Sequence, residues 1–283
     1  APLAALASYR LELFRPVQPM LADSADDVDE GIATAGGGTV AIEWKLDGAR
    51  IQVHRDGDRV AIYTRNLNDV TSRLPEVVEA VRGLDARELI LDGEVIALTT
   101  AGRPLSFQDT MRRFGRRLDI DTLRAELPLT PYFFDVLLYN GGETIVRPLA
   151  GRLDLLERII PEPFRVPRTI TGSVEEANRF QADTLDRGHE GVLVKSLTAP
   201  YAAGRRGSAW VKVKTARTLD LVVLAVEWGS GRREGWLSNL HLGARDPATG
   251  GFVMLGKTFK GLTDALLTWQ TEALLGREIA RDA

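Results

Sequence analysis

Residues 40–63 constrain the fold more than any other stretch. Val40-Ala41-Ile42-Glu43-Trp44 and Ile51-Gln52-Val53-His54 carry a β pattern, and Val60-Ala61-Ile62-Tyr63 follows the turn sequence Arg55-Asp56-Gly57-Asp58. Period-two alternation on both sides of an Asp-Gly pair predicts a hairpin. Further strands are predicted at residues 88–98 (interrupted by Asp92-Gly93-Glu94), 132–138, 191–195 and 210–214. Helical patterns cover 74–81, 106–117, 152–160 and 175–186, with a short piece between the acidic stretch 23–30 and Gly36-Gly37-Gly38. Residues 1–15 read as the end of a helix, stopped by Pro16-Val17-Gln18-Pro19. A boundary falls near 215–219. Beyond it, strands at 221–227, 237–244 and 252–255 joined by Gly-rich turns suggest a small barrel, followed by a helix at 264–279.

A length of 283 residues suits one large domain or two ordinary ones. With 44% hydrophobic and 27% charged residues, the chain is composed like a globular protein with a core. No apolar run approaches the roughly 18 residues that cross a bilayer, and no membrane partner is expected. The absence of cysteine excludes disulfides, thiolate catalysis and Cys-based metal sites, and a reducing cytoplasm is the expected location. His54, His189 and His241 are too scattered for a zinc site, so any metal should be a hard cation held by carboxylates and phosphates. The chain does not begin with Met and is expected to be a processed chain or a fragment.

The net charge of −3 argues weakly against nucleic-acid binding, but its distribution argues for it. Between Lys195 and Arg217 stand Lys195, Arg205, Arg206, Lys212, Lys214 and Arg217, with no acidic residue. A local basic stretch is what phosphate binding needs. Of the 36 basic residues only six are lysine, and none falls between Lys45 and Lys195. Where arginine carries ordinary surface charge, a retained lysine can do what arginine cannot: lose a proton and attack.

Lys45 has the most suggestive setting. In Glu43-Trp44-Lys45-Leu46-Asp47-Gly48-Ala49-Arg50, a lysine ends one strand and a Gly-containing turn leads to the next. Glycine admits close backbone approach to a ligand, and a lysine among other cations can deprotonate near neutral pH. Arg50 lies near enough to bind a sugar hydroxyl or phosphate. The bland alternative is a hairpin with a solvated lysine.

The segment resembles motif I, Lys-x-Asp-Gly-x-Arg, of the covalent nucleotidyltransferases: DNA ligases, RNA ligases and mRNA capping enzymes. Further segments follow in the family's order. Thr64-Arg65-Asn66 resembles the arginine element after motif I, Leu91-Asp92-Gly93-Glu94-Val95 motif III, and Phe133-Phe134-Asp135-Val136-Leu137 motif IIIa. Glu190-Gly191-Val192-Leu193-Val194-Lys195 resembles motif IV, and Trp210-Val211-Lys212-Val213-Lys214 motif V. Pro16-Val17-Gln18-Pro19-Met20-Leu21-Ala22 is similar to the loop entering the ATP-dependent DNA ligase domain. Four of the six lysines occupy motif positions. Motif VI, which in the family orients pyrophosphate, has no counterpart here.

The resemblance implies an α+β fold. Residues 16–217 would form an adenylylation domain of antiparallel sheets flanked by helices, and 218–283 a partial OB-fold barrel. Residues 1–15 would be a helical remnant of a DNA-binding domain. It implies ATP as substrate, with AMP carried covalently on Lys45, and Mg²⁺ or Mn²⁺ held by Glu94 and Glu190. Lys195, Lys212 and Lys214 would neutralise phosphate and depress the pKa of Lys45. Phe134 would stack on adenine, although a core aromatic explains it equally well without the family. Glu43 matches the position that contacts the base, and Arg50 and Arg65 join the nucleotide site. Arg65 and Arg206 would bind the phosphates of nicked double-stranded DNA. Arg112, Arg113, Arg116 and Arg117 read better as a solvated basic helix face, and His189 as a packed or surface residue. A monomer is expected. RNA ligation or capping on the same scaffold is the nearest competitor. A non-catalytic nucleic-acid-binding module would need a broken site, and Lys45, Glu94 and Glu190 are intact.

Overall fold

The two strands on either side of the Lys45 turn belong to different sheets. In the computed structural model, which describes residues 10–116, 118–214 and 218–281, β2 (Val40–Lys45) ends at the nucleophile candidate. Three residues, Leu46-Asp47-Gly48, then carry the chain across to β3 (Ala49–Asp56). The first sheet has the order β1-β10-β9-β2-β8, built from β1 (Leu21–Ala25), β8 (Arg168–Thr171), β9 (Gly191–Ser196) and β10 (Arg206–Lys214) around β2. Its strands pair antiparallel except β1, which runs parallel to β10. The second sheet is antiparallel throughout, in the order β4-β3-β5-β6-β7, with β4 (Arg59–Thr64), β5 (Glu88–Ala97), β6 (Leu129–Tyr139) and β7 (Gly142–Glu143).

Helices cover the sheets as the apolar patterns require. α1 (Val28–Thr34) buries Val28 and Ile32 on the first sheet, capped by Asp27, which accepts from Glu30 N at 2.8 Å. α6 (Val174–Asp186) covers the same sheet through Ala177. α2 (Pro75–Arg82), α3 (Phe107–Phe114) and α5 (Leu149–Ile159) close the core of the second sheet with Val77, Val81, Phe114, Leu153 and Leu156. α4 (Ile120–Glu126) follows α3. A third apolar cluster joins the sheets: Leu46 and Trp210 from the first side meet Ile96, Phe134 and Leu137 from the second. Leu46, in the turn after Lys45, belongs to that cluster.

The chain divides into two compact units, Ala1–Thr215 and Ala216–Ala283. In the second, β11 (Val222–Trp228), β12 (Leu237–Arg245) and β13 (Phe252–Thr258) form an antiparallel sheet, and α7 (Asp264–Leu275) packs on β12. Leu237 N donates to Thr271 Oγ1 at 2.9 Å there. No helix among the described residues is long and apolar enough to cross a membrane.

Some expectations fail locally. The helix end expected within 1–15 is not found at residues 10–15, which form a turn with Phe14 at φ 67°; residues 1–9 lie outside the described residues. The turn is held by side chains of the second sheet: Phe14 N donates to His54 Nδ1 at 2.9 Å, and Tyr63 Oη donates to Phe14 O at 3.0 Å. These bonds take the place of a helical ladder. The helix expected at 106–117 ends at Phe114, and Arg113 is not on a solvated face. It is buried, donating to Arg73 O at 2.8 Å and pairing with Glu76 at 3.1 Å. Arg112 and Arg116 are exposed, and Arg117 and Arg217 lie outside the described residues.

Candidate active site

Lys45 ends β2 beside Gly191 of β9, and Glu190, the residue before Gly191, comes with it. Glu190 N donates to Lys45 O at 3.2 Å, and the Lys45 ammonium contacts Glu190 Oε2. Lys214, at the end of β10, contacts Glu190 Oε1 from the other side. Burial works against the charge on Glu190, but Lys214 and Lys45 together hold its carboxyl below the ordinary value. The group in contact with Lys45 is therefore a carboxylate that Lys214 shares, and of the three lysines expected to serve it Lys195 stands apart. Lys195 in particular is fully buried and 2.5 Å from Glu43 Oε2, with its ammonium 4.5 and 4.2 Å from the ring centroids of Phe134 and Trp210. It is absent from the wall of the cavity beside Lys45.

That cavity holds about 650 Å³ and is walled by Glu43, Lys45, Asp47, Arg50, Arg65, Glu94, Phe134, Arg206 and Lys212, among others. The turn Leu46-Asp47-Gly48 forms one edge. A Cβ on Gly48 would lie 2.2 Å from Val95 O, so only glycine lets this backbone approach β5. The Gly48 N–H donates to Glu94 Oε1 at 2.9 Å. Burial pushes the Glu94 carboxyl up to about 7, against the pull of that N–H and of Lys45 and Arg50.

Arg50 grips Asp92 with two parallel bonds, Nε to Oδ1 at 3.0 Å and Nη2 to Oδ2 at 2.7 Å. Its Nη1 donates to Met20 O at 2.7 Å. Tyr201 completes the network, donating to Asp92 Oδ2 at 2.7 Å and accepting from Met20 N at 3.0 Å. Most donors of Arg50 are thus spent on protein, and they tie Met20 of the entry loop to β3 and β5.

Glu43 is buried in the cavity wall, accepting from Arg168 Nε at 3.1 Å as well as facing Lys195. Phe134 stands edge-on to Trp210, with centroids 5.9 Å apart and planes at 81°. Lys212 lines the cavity and has no salt-bridge partner among the described residues. Arg65 is exposed at the rim, and Arg206 donates to Ala22 O at 2.6 Å while lining the same cavity. Among the described residues, no three of His, Asp and Glu cluster in a way that could hold a metal.

A family model described as the ATP dependent DNA ligase domain matches residues 19–214. The chain belongs to the ATP-dependent DNA ligase family. A relative named "Probable DNA ligase" from Anaeromyxobacter dehalogenans (strain 2CP-C) is 61% identical over 271 residues, covering 96% of this chain and 53% of the relative. Another of that name, from a Nocardioides species, is 57% identical over 281 residues, covering 99% of this chain and 54% of its own length. The chain spans about half the length of the curated relatives it matches. A solved structure described as "mycobacterial DNA ligase D complexed with ATP and MES" superposes with a TM-score of 0.58 at 25% identity, covering 94% of this chain and 79% of that one.

Of the ligase-motif residues, Lys45, Glu43, Arg50, Arg65, Glu94, Phe134, Lys212 and Arg206 share the one cavity. Lys195, Lys214 and Glu190 do not line it. Lys195 lies behind Phe134 and Trp210, while Lys214 and Glu190 stand beside Lys45. His189 is packed, its ring 4.3 Å from that of Trp44, and burial with Arg187 nearby lowers its pKa to about 4. Sequence reasoning missed Asp92 as the partner of Arg50, Tyr201, and Arg168. Asp92 stood in the quoted Leu-Asp-Gly-Glu run and could have been found. Tyr201 and Arg168 carry no local signal.

Proposed function

We propose that this chain carries the nucleotidyl-transfer chemistry of an enzyme that seals 3′-hydroxyl/5′-phosphate nicks in double-stranded DNA, by way of AMP held on Lys45. The supporting observation is the seating of Lys45: a lysine at a strand end, opening on a cavity, with its amine anchored by Glu190.

In the first step the Lys45 nitrogen, once it has lost a proton, attacks the α-phosphorus of ATP. An N–P bond forms and the bond to pyrophosphate breaks. Lys212, with no acidic partner among the described residues, can meet phosphate charge. Phe134 offers a ring face to adenine, and Glu43 offers a carboxylate to a base N–H donor. AMP then passes to the DNA 5′-phosphate, and the 3′-hydroxyl displaces it. Arg65 and Arg206, at the cavity rim and exposed, suit phosphate contacts that position DNA without reading its sequence.

Glu94 suits a hard divalent cation. One of its oxygens takes the Gly48 N–H and the other has no hydrogen-bond donor among the described residues, and its half-buried carboxylate gains from a positive neighbour. Mg²⁺ is commonly held by one or two carboxylates plus phosphate oxygens and water. Glu190 suits it less, because Lys45 and Lys214 occupy both its oxygens. When bound, such a cation neutralises charge on phosphate oxygens.

The test is to incubate the chain, alone and within the full-length enzyme, with labelled ATP or GTP and Mg²⁺. An acid-labile AMP adduct that maps to Lys45 and is lost in Lys45→Arg supports the reading, because arginine supplies no neutral amine. Label on another residue, or label from GTP alone, overturns it. Nicked DNA against nicked RNA then separates the substrates.

A further inference from the structure

Arg168 lies outside every motif named above, yet it faces Glu43 directly across the pairing of β8 with β2. Its Nε donates to Glu43 Oε1 at 3.1 Å, while Lys195 stands 2.5 Å from Glu43 Oε2. The three side chains are 8%, 1% and 0% exposed for Arg168, Glu43 and Lys195. Each cation has its own anchor. Lys195 is boxed by the rings of Phe134 and Trp210, and Arg168 Nη1 reaches Glu157 Oε1 at 3.5 Å. The Glu43 carboxylate therefore takes a hydrogen bond from Arg168 at one oxygen and an ion contact with Lys195 at the other, and Glu43 stands in the wall of the cavity.

A carboxylate held this way is an acceptor only, with lone pairs left over after its two cations are served. Adenine carries an amino donor where guanine carries a carbonyl acceptor. The fixed oxygen rewards the donor. Against the guanine carbonyl it would set acceptor to acceptor and leave both unsatisfied. Such discrimination lasts only while the carboxylate keeps its angle. With Lys195 alone, both oxygens of Glu43 could turn to one ammonium and away from the cavity.

We propose that Arg168 is a positioning residue that fixes Glu43 and so sets the preference for adenine over guanine nucleotides. The inference rests on the reading that Glu43 meets the base.

The experiment is calorimetric binding of ATP and GTP to the full chain. The variants are Arg168→Met, Arg168→Lys, Glu157→Gln, Glu43→Gln and the double variant Arg168→Met/Glu43→Gln, each with its melting temperature. Arg168→Met should weaken ATP about tenfold, leave GTP nearly unchanged, and collapse their ratio by the same factor. Arg168→Lys keeps a cation opposite Glu43 and should recover most of the ratio. In the Glu43→Gln background, Arg168→Met should change the ratio no further, because the two act as one unit. Glu157→Gln frees the outer end of Arg168 without unbalancing the buried charges, and should lower the ratio about threefold; it decides the matter if Arg168→Met does not fold.

An unchanged ratio in a folded Arg168→Met, or an equal fall with and without Glu43, overturns the proposal. If Glu43→Gln shifts the ratio and Arg168→Met does not, only the positioning role fails. If Glu43→Gln leaves the ratio at the wild-type value, the base-contact reading fails and this inference falls with it.

Discussion

The backbone N–H of Gly48 donates to Glu94 Oε1 at 2.9 Å, tying the turn after Lys45 to β5. That bond favours the charged carboxylate, yet burial outweighs it and lifts the Glu94 pKa from an ordinary 4.5 to about 7. The folded state then binds more protons than the unfolded state between these two values, so stability falls as pH rises through that window. The loss is about 3 kcal/mol at most, complete above the folded value and absent below the unfolded one. Glu94→Gln keeps the acceptor for Gly48 and removes the titration. Its melting temperature should exceed that of the wild type at pH 8 and approach it at pH 4.5. Parallel melting curves across that range would show that the Glu94 shift is not real.

Gly48 itself is open to a sharper test. A Cβ there would meet Val95 O at 2.2 Å and Ile96 Cγ2 at 2.4 Å, and neither is the free end of a flexible chain. Gly48→Ala must push the turn off β5, at a cost of about 2–3 kcal/mol, and it should abolish the AMP adduct by moving Lys45. Gly57, in the hairpin turn at φ 55° with nothing within 4 Å of its Cβ position, is the control. Gly57→Ala should cost about 1–2 kcal/mol through backbone strain alone and leave adduct formation intact. Equal adduct formation in the two variants would remove the Gly48 turn from the site.

These contrasts mark what the sequence could and could not disclose. The β3–β4 hairpin was legible because its register depends on residues a few positions apart. Lys45 was singled out by its turn and Glu94 by the resemblance of the run around it, and both line the one cavity. Arg168–Thr171 went unnoticed as a strand because four residues carry too little period, and its pairing with β2 comes from 125 positions away. Lys195 and Arg113 looked like solvent or phosphate cations because their acidic partners, Glu43 and Glu76, are brought to them only by sheet and helix packing. The sequence named Arg50, but that its fork closes on Asp92 depends on β3 lying beside β5. Residue chemistry is local and its partner is not.

Next to Phe134 in β6, Asp135 belongs to a fully buried ion pair. Arg152 on α5 grips Asp135 with Nε to Oδ1 at 2.7 Å and Nη2 to Oδ2 at 3.0 Å, both side chains wholly enclosed. Burial raises the pKa of Asp135 even so. Removing one partner strands the other in a low-dielectric core, so Arg152→Met and Asp135→Asn should each cost about 3–5 kcal/mol. Asp135→Asn/Arg152→Met should cost less than the sum of the single losses, since no charge is left behind. Chemical denaturation of the set checks this. Additive losses would mean that the pair carries no coupling of its own.

Glu190 gives the last prediction, because one carboxylate contacts two lysines. Lys45 reaches it from the end of β2 and Lys214 from the end of β10. Its side chain is 27% exposed, so ion pairs there add about 1 kcal/mol or less to stability. Their effect on placement is larger: a nucleophile misplaced by an ångström can lose about 100-fold in rate. Glu190→Gln should therefore slow AMP transfer to Lys45 by about 100-fold with little change in melting temperature. Lys214→Met leaves Lys45 its partner and should slow it by only about tenfold. A metal-ligand role for Glu190 predicts something different: the Gln defect would be relieved by raising Mg²⁺ or substituting Mn²⁺, since weak binding is overcome by concentration. Loss of an anchor for the amine is not. Single-turnover adenylylation across a Mg²⁺ series separates the two. A defect that persists at saturating metal assigns Glu190 to holding Lys45, and a wild-type rate in Glu190→Gln removes it from both roles.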